Sequence, residues 1–395
     1  MLRLFDRKFP PFKRLKMSLL HTHTNSGWGV GQEIRSAGVK TSQVKVLRWQ
    51  NGQALQTTTV DHSRGEQYVV HRADLHNALL HKAESLSNVD IKLDSTATSV
   101  DFDAASVTLV NGTKIEGDVV LGADGVKSRV RTQMLGDNAD VATPTGDAVF
   151  RLMLYRDDLL KDPELAPFIN EPIAHRWIGP DRHVMAYPVR GHKLFNIVMA
   201  KPDRGGLDES WVQKGSKDGV LKEFDGWDEK LMKLLRLVPD GEVLEWKLCS
   251  HSPLPTWIKG SVALMGDSCH PMLPYVAQGA AQAVEDAAAL GVILSQLPST
   301  SASAIHQALK AYETSRKERA ETVQGFGKET RDALHLHDGP EQIERDLALS
   351  APPTTETRSP DRWTDQKTRD YLWNWDAEAK AMEAWQGSEK ERANL

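Results

Sequence analysis

The residues with the most chemical content lie between Ser261 and Leu290, in SVALMGDSCHPMLPYVAQGAAQAVEDAAAL. An apolar strand ends at Gly266-Asp267, where glycine permits a tight turn and close backbone approach to a ligand. The Asp267 carboxylate then stands at the carboxyl end of a strand, where open α/β sheets bind ligands. Ionised, it can only accept hydrogen bonds, which suits the hydroxyls of a sugar-like chain. Pro271 and Pro274 stiffen the loop. The next helix opens at Gln278-Gly279-Ala280-Ala281, small residues whose free N–H groups and dipole favour an anionic ligand atom. A plain βα unit in which Asp267 only caps a helix is the alternative. The coincidence of strand, Gly-Asp, two prolines, a small-residue helix start and Glu285-Asp286 argues against it.

Two further segments carry chemistry only in company. Asp118 to Arg131 delivers Gly122-Ala123-Asp124-Gly125 from a strand, with Ser128 placed to cap a helix. Taken singly, Asp124-Gly125 reads as a turn. His71-Arg72-Ala73-Asp74-Leu75 starts a helix on which Arg72 offers five fixed donors, or is simply solvated. Along the strand His183 to Val189, His183, Met185 and Tyr187 share one face at period 2. A His with a Tyr can activate or orient a phenol, and two amphipathic residues at a domain interface is the competing reading. Cys269 beside His270 resembles a nucleophile pair, but neighbours on an extended loop point apart and no third group orients them.

These residues need elements to hold them, and the chain supplies an α/β alternation. It has 395 residues, of which 40% are hydrophobic and 26% charged, enough for two or three structural units. Lys plus Arg total 49 against 54 Asp plus Glu, so a dedicated nucleic-acid binder is disfavoured. No apolar run reaches the roughly 18 residues of a membrane span. Two cysteines, Cys249 and Cys269, cannot build a disulfide scaffold or a Cys-rich metal site, and no secretory signal is visible. A cytoplasmic protein without a metal is the expectation. Strands are expected at Gln67–Val70, Ile91–Leu93, Val107–Val110, Asp118–Leu121 and Ser261–Met265. A second sheet is expected at Val149–Tyr155, His183–Val189 and Lys193–Met199. Helices are expected at 278–297 and 302–325, then a linker over 350–361. The tail carries Trp363, Trp373, Trp375 and Trp385, and reads as a helix docked by its tryptophans.

In order and residues, the three segments resemble the class A flavoprotein aromatic monooxygenases, the salicylate hydroxylase-like group with the para-hydroxybenzoate hydroxylase fold. The resemblance spans about 25–330. It implies that Arg72 lies near a flavin, and that Asp124, Gly125, Ser128 and Arg131 serve the FAD diphosphate and NADH or NADPH. Asp267, with Gly266, His270, Pro271 and Pro274, would bind the ribityl chain. The usual Gly-Gln-Gly reads Ala277-Gln278-Gly279, and the helix start at Gln278, Gly279 and Ala280 would face the flavin. His183 and Tyr187 would be the catalytic pair on a strand facing the ring. The implied reaction is hydroxylation of a small phenol or aromatic acid by O₂ through a flavin hydroperoxide, with a secondary-metabolite intermediate as the alternative substrate class. A homodimer is compatible with this reading.

The resemblance also implies a glutathione-reductase-type FAD-binding domain with an inserted β-sheet substrate domain and a C-terminal helical tail. The expected boundaries are an atypical segment 1–24, FAD-binding parts 25–140 and 253–330, a substrate domain 141–252 and a tail 331–395. The family's opening strand–GxGxxG–helix unit is not recognised. Gly27-Trp-Gly29-Val-Gly31-Gln32 has Gln where the last Gly belongs and no strand is expected before it. The expected FAD-binding domain is therefore N-terminally incomplete, and a truncated, flavin-free inactive remnant with a structural or interaction role is the second expectation.

Overall fold

The computed structural model describes residues 16–17, 22–23, 28–136, 143–205, 213–351 and 358–393. In chain order the principal strands are β1 (Gln43–Arg48), β2 (Ala54–Thr59), β3 (Val120–Gly122), β4 (Thr143–Tyr155), β5 (Ile173–Gly179) and β6 (Arg182–Val189). They continue with β7 (Leu194–Pro202), β8 (Gln213–Lys214), β9 (Leu244–Ser250), β10 (Ile258–Lys259) and β11 (Val262–Leu264). The helices bearing on the site are α1 (Arg72–Glu84), α2 (Arg129–Leu135), α3 (Gly279–Ser295), α4 (Ala302–Leu334), α5 (Gln366–Trp373) and α6 (Ala377–Ala393).

Residue alternation sets the faces of the largest sheet, ordered β8-β9-β4-β7-β6-β5-β1-β2. In β4, β6 and β7, Leu152, Leu154, Val184, Ala186, Phe195 and Ile197 pack into one core with Leu231 and Leu235. The intervening residues take the opposite face, as period 2 requires. There Met185 and Tyr187 join Ala277, while Val149, Val198 and Ala200 pack with Tyr275. The sheet is wider than the expected 141–252 unit. It recruits β1 and β2 through the parallel pairing of Ile173–Ile178 with Gln43–Arg48, a contact between segments some 130 residues apart.

The motif strands form a smaller sheet, β3-β11-β10, in which β3 and β11 run parallel with Val120 opposite Val262 and Gly122 opposite Leu264. Among the described residues β3 has no partner on its other edge, and Leu121 on it is 37% exposed. Lys16–Met17 and Thr22–His23 pair with each other antiparallel, and so do not extend this sheet. Thr22–His23 does precede Gly27–Gln32, contrary to expectation, and Gly31 opens the helix Gly31–Ala37. The remainder of 1–24 lies outside the described residues.

Three local expectations need correction. Ile91–Leu93 makes only an isolated bridge, and Leu93 is 81% exposed, so the apolar run has no core to face. Helix α4 continues past Gly325 to Leu334, carried by buried Gly327, Thr330 and Leu334. The end of the expected linker is fixed rather than free: Asp361 is buried and pairs with Arg176 at 2.8 Å, while 352–357 lie outside the described residues. Beyond it Trp363, Trp373 and Trp385 are buried, and the tail forms two helices, α5 and α6.

Candidate active site

The parallel pairing of β3 with β11 brings the Asp124 and Asp267 turns to one end of the small sheet. Side chains then bolt the turns together. Ser268 Oγ donates to Gly122 O at 2.6 Å, and the buried Arg131 donates to Ser268 O at 2.9 Å and Val126 O at 2.7 Å. Gly266 has φ +60, and a Cβ there would meet Ala283 at 3.2 Å, so the turn admits only glycine without strain. Asp267 itself is solvent-accessible. Partial burial among its neighbours raises its carboxyl from the usual range, with His270 and Arg72 acting in the opposite sense. Arg72, exposed at the first turn of α1, is thus near enough for its charge to act on Asp267.

The start of α3 stands beside this carboxylate. Pro274 opens a tight turn ending at Ala277, which has φ +52, and no side chain caps the helix at buried Gln278. The first amides of α3, at Gly279, Ala280 and Ala281, have no intrahelical acceptor. A Cβ on Gly279 would stand 3.8 Å from Asp267 Oδ1, so the amides and the carboxylate are neighbours. Asp124 is differently employed. Its carboxylate accepts from Ser128 Oγ at 2.5 Å and from the amides of Arg129 and Val130 at 2.8 and 3.2 Å. It orders the loop by capping α2, leaving Gly125, with φ +80 and open space where a Cβ would be, to approach a ligand.

On the sheet face opposite, β4, β6 and β7 register Arg151, Val198 and Met185 in one row, with Asn196 beside Tyr187 in the next. Burial raises the Tyr187 phenol, and Arg151 nearby lowers it. Arg151 also depresses His71 at the head of α1, after burial and Arg190. Its guanidinium sits 5.5 Å from the Trp246 ring centroid and makes no ion pair with any acid among the described residues. His183 is less accessible than expected. Its Nδ1 bonds His335 Nε2 at 2.8 Å, and the Tyr275 ring lies 5.3 Å away. Burial holds His183 well below the usual imidazole range and brings His335 to about 4, so both are neutral near pH 7. The pair is a buried bridge between sheet and α4; Tyr187 is the better placed of the two candidates.

Beneath the site lies a buried ionic cluster. Asp286 accepts from Gly266 N at 2.8 Å, His270 Nε2 at 2.6 Å and Arg316 Nε at 2.9 Å. Burial opposes its ionisation, but His270 and Arg316 outweigh this and bring the carboxyl down to about 2. Glu285 takes both Arg316 and Arg319. Cys269, His270 and Asp286 lie close enough to hold a cation, yet the Arg316 guanidinium already supplies the positive charge there. Burial pushes the Cys269 thiol well up, consistent with an inert thiol rather than a nucleophile. Sequence reading picked out Glu285-Asp286 and missed Arg316 and Arg319, whose i, i+3 spacing on α4 marks one face.

The chemistry of these groups fits the flavin half of FAD: a carboxylate for the ribityl hydroxyls, unclaimed helix amides, and an Arg whose charge reaches that carboxylate. Comparison with known proteins agrees. Residues 24–326 match the family described as FAD binding domain. The FAD-dependent monooxygenase atnJ of Arthrinium sp is 40% identical over 349 residues, 88% of this chain and 81% of that protein. The 6-hydroxynicotinate 3-monooxygenase of Bordetella bronchiseptica is 32% identical over 303 residues, 75% of each. A salicylate hydroxylase substrate complex superposes with a TM-score of 0.74 and 26% identity, covering 90% of this chain and 86% of that one. The chain thus belongs to the FAD binding domain family, as an FAD-dependent monooxygenase of the class A, salicylate hydroxylase-like group.

Proposed function

We propose that the protein hydroxylates a small anionic aromatic, a phenol or aromatic acid, consuming NADH or NADPH and O₂. One observation supports the substrate class: Arg151, without an acidic partner among the described residues, shares with Tyr187 the sheet face that packs with Ala277. A half-buried guanidinium with no counter-charge is a ready partner for a carboxylate or phenolate. Bound FAD would supply the reduction and oxygen chemistry. The chain's own residues would do the rest. Asp267 would accept from ribityl hydroxyls, and the α3 amides would stabilise negative charge on the ring edge. Tyr187 would orient the substrate hydroxyl, and Met185 with the surrounding apolar face would exclude water. A secondary-metabolite intermediate bearing such an aromatic would fit the same groups.

The edge of β3 that has no partner strand among the described residues favours a second reading, a flavin-free protein with a structural or interaction role. An absorption spectrum of the purified chain, followed by NADH and NADPH oxidation with salicylate, 3-hydroxybenzoate and 6-hydroxynicotinate, separates the two. Bound flavin with substrate-stimulated oxidation supports the monooxygenase. A chain that takes up no flavin from added FAD supports the second reading.

A further inference from the structure

The C-terminal segment after α4 enters the site from a direction the motifs do not mark. Trp363 shares one apolar cluster with Met185, against which Tyr187 and Ala277 also pack. Met185 and Tyr187 belong to the side of the sheet that packs with Ala277, and Ala277 stands two residues before the first free amide of α3. The ring's position is over-determined. Arg176 lies 4.4 Å from its centroid, and the same guanidinium pairs with buried Asp361 at 2.8 Å and donates to Tyr275 O at 3.3 Å. Asp361 Oδ1 in turn accepts from the Trp363 amide at 3.0 Å. A desolvated cation on a tryptophan face is among the stronger contacts of its kind, and here a buried ion pair fixes the cation. The segment therefore ties β5, the Pro274–Val276 turn and one indole into a single unit.

We propose that Trp363 is a specificity-determining wall of the substrate pocket, restricting it to planar monocyclic aromatics; this rests on the aromatic-substrate reading above. A rigid indole clustered with Met185 and Tyr187 would limit the width of a substrate bound against this face of the sheet. A bicyclic ring needs the volume the indole fills. A tryptophan that only anchors the tail would, when replaced, weaken all ligands alike or none.

The test uses the full flavin-loaded chain and two probes, salicylate and 1-hydroxy-2-naphthoate, each titrated by perturbation of the flavin absorbance. Trp363→Leu should raise the Kd for salicylate relative to that for 1-hydroxy-2-naphthoate by about tenfold or more, the scale on which pocket shape discriminates. Trp363→Phe, which keeps a flat ring, should fall between. Flavin content should match that of the unaltered protein. Equal changes for the two probes, or none, would overturn the proposal. If Trp363→Leu does not fold, Trp363→Phe decides it: an unchanged ratio rejects the wall, a shifted ratio upholds it. Failure of the unaltered flavin-loaded protein to bind either probe would overturn the aromatic-substrate reading and this inference with it, and is distinguishable because it needs no variant.

Discussion

Asp267 and Asp124 are both aspartates in glycine turns at strand ends, yet the structure employs them differently. Asp124 spends its oxygens on Ser128 and two backbone amides, whereas Asp267 keeps its oxygens accessible beside Gly279. Replacing Asp267 by Ala should therefore weaken FAD binding by about 1.5–3 kcal/mol, the worth of a hydrogen bond to a charged group, with little change in thermal stability. Flavin titration followed by fluorescence checks this, and unchanged affinity would mean that the carboxylate does not touch the cofactor. Asp124→Ala should do the reverse, lowering stability by about 1 kcal/mol through the lost cap. Local pattern made both residues legible. What it could not distinguish was which carboxylate is consumed internally, because that depends on whether Ser128 and the first turn of α2 fold back on it. The same limit applies to His183. Period 2 placed it on the correct face with Tyr187, but its partner His335 is 152 residues away, at the end of a helix that runs beyond its expected stop.

At the scale of elements, buried polar contacts hold the site together. Arg316 on α4 grips Asp286 on α3, which grips the Gly266 amide. Removing Arg316 leaves buried Asp286 with His270 alone and Glu285 with Arg319 alone, so Arg316→Met should cost about 3–5 kcal/mol in denaturant unfolding, while surface Arg204→Met should cost within about 0.5 kcal/mol. A second contact makes stability depend on pH. Burial brings His175 to about 3 and His335 to about 4, both below the ordinary imidazole value of 6.5. The unfolded chain then binds more protons than the folded one below about pH 6.5. Stability should fall as pH drops from there towards 4, by on the order of 1 kcal/mol per pH unit per histidine. His335→Gln should flatten that slope in urea melts between pH 6.5 and 4.5; an unchanged slope would show that His335 is not the titrating group. The sequence marked α3, α4 as far as Gly325 and the strand before Gly266, because their apolar periodicity is local, but it marked neither β5 nor the end of α4. It did not mark the recruitment of β1 into the large sheet or the docking of Asp361 on Arg176, since each joins segments more than 100 residues apart.

At the scale of the whole molecule, the proposed flavin seat draws on Arg72, the Asp124 loop and the 266–280 segment, which the chain interrupts with the large sheet. A ligand that touches all of these should stabilise the entire chain by mass action. At 100 times its Kd the gain is about 2.7 kcal/mol. In the proposed seat these groups address the flavin half of FAD: Asp267 neighbours the α3 amides, and the charge of Arg72 acts on its carboxyl. The order of stabilisation among fragments should follow from that placement. Thermal unfolding with each ligand at equal concentration should show FAD giving the largest rise in Tm, FMN a substantial part of it, and ADP the least. Asp267→Ala should reduce the FMN shift and leave any ADP shift unaltered. If ADP instead reproduced the full effect of FAD while FMN gave none, the cofactor's affinity would reside away from the Asp267 cleft, and that cleft could not be the flavin seat.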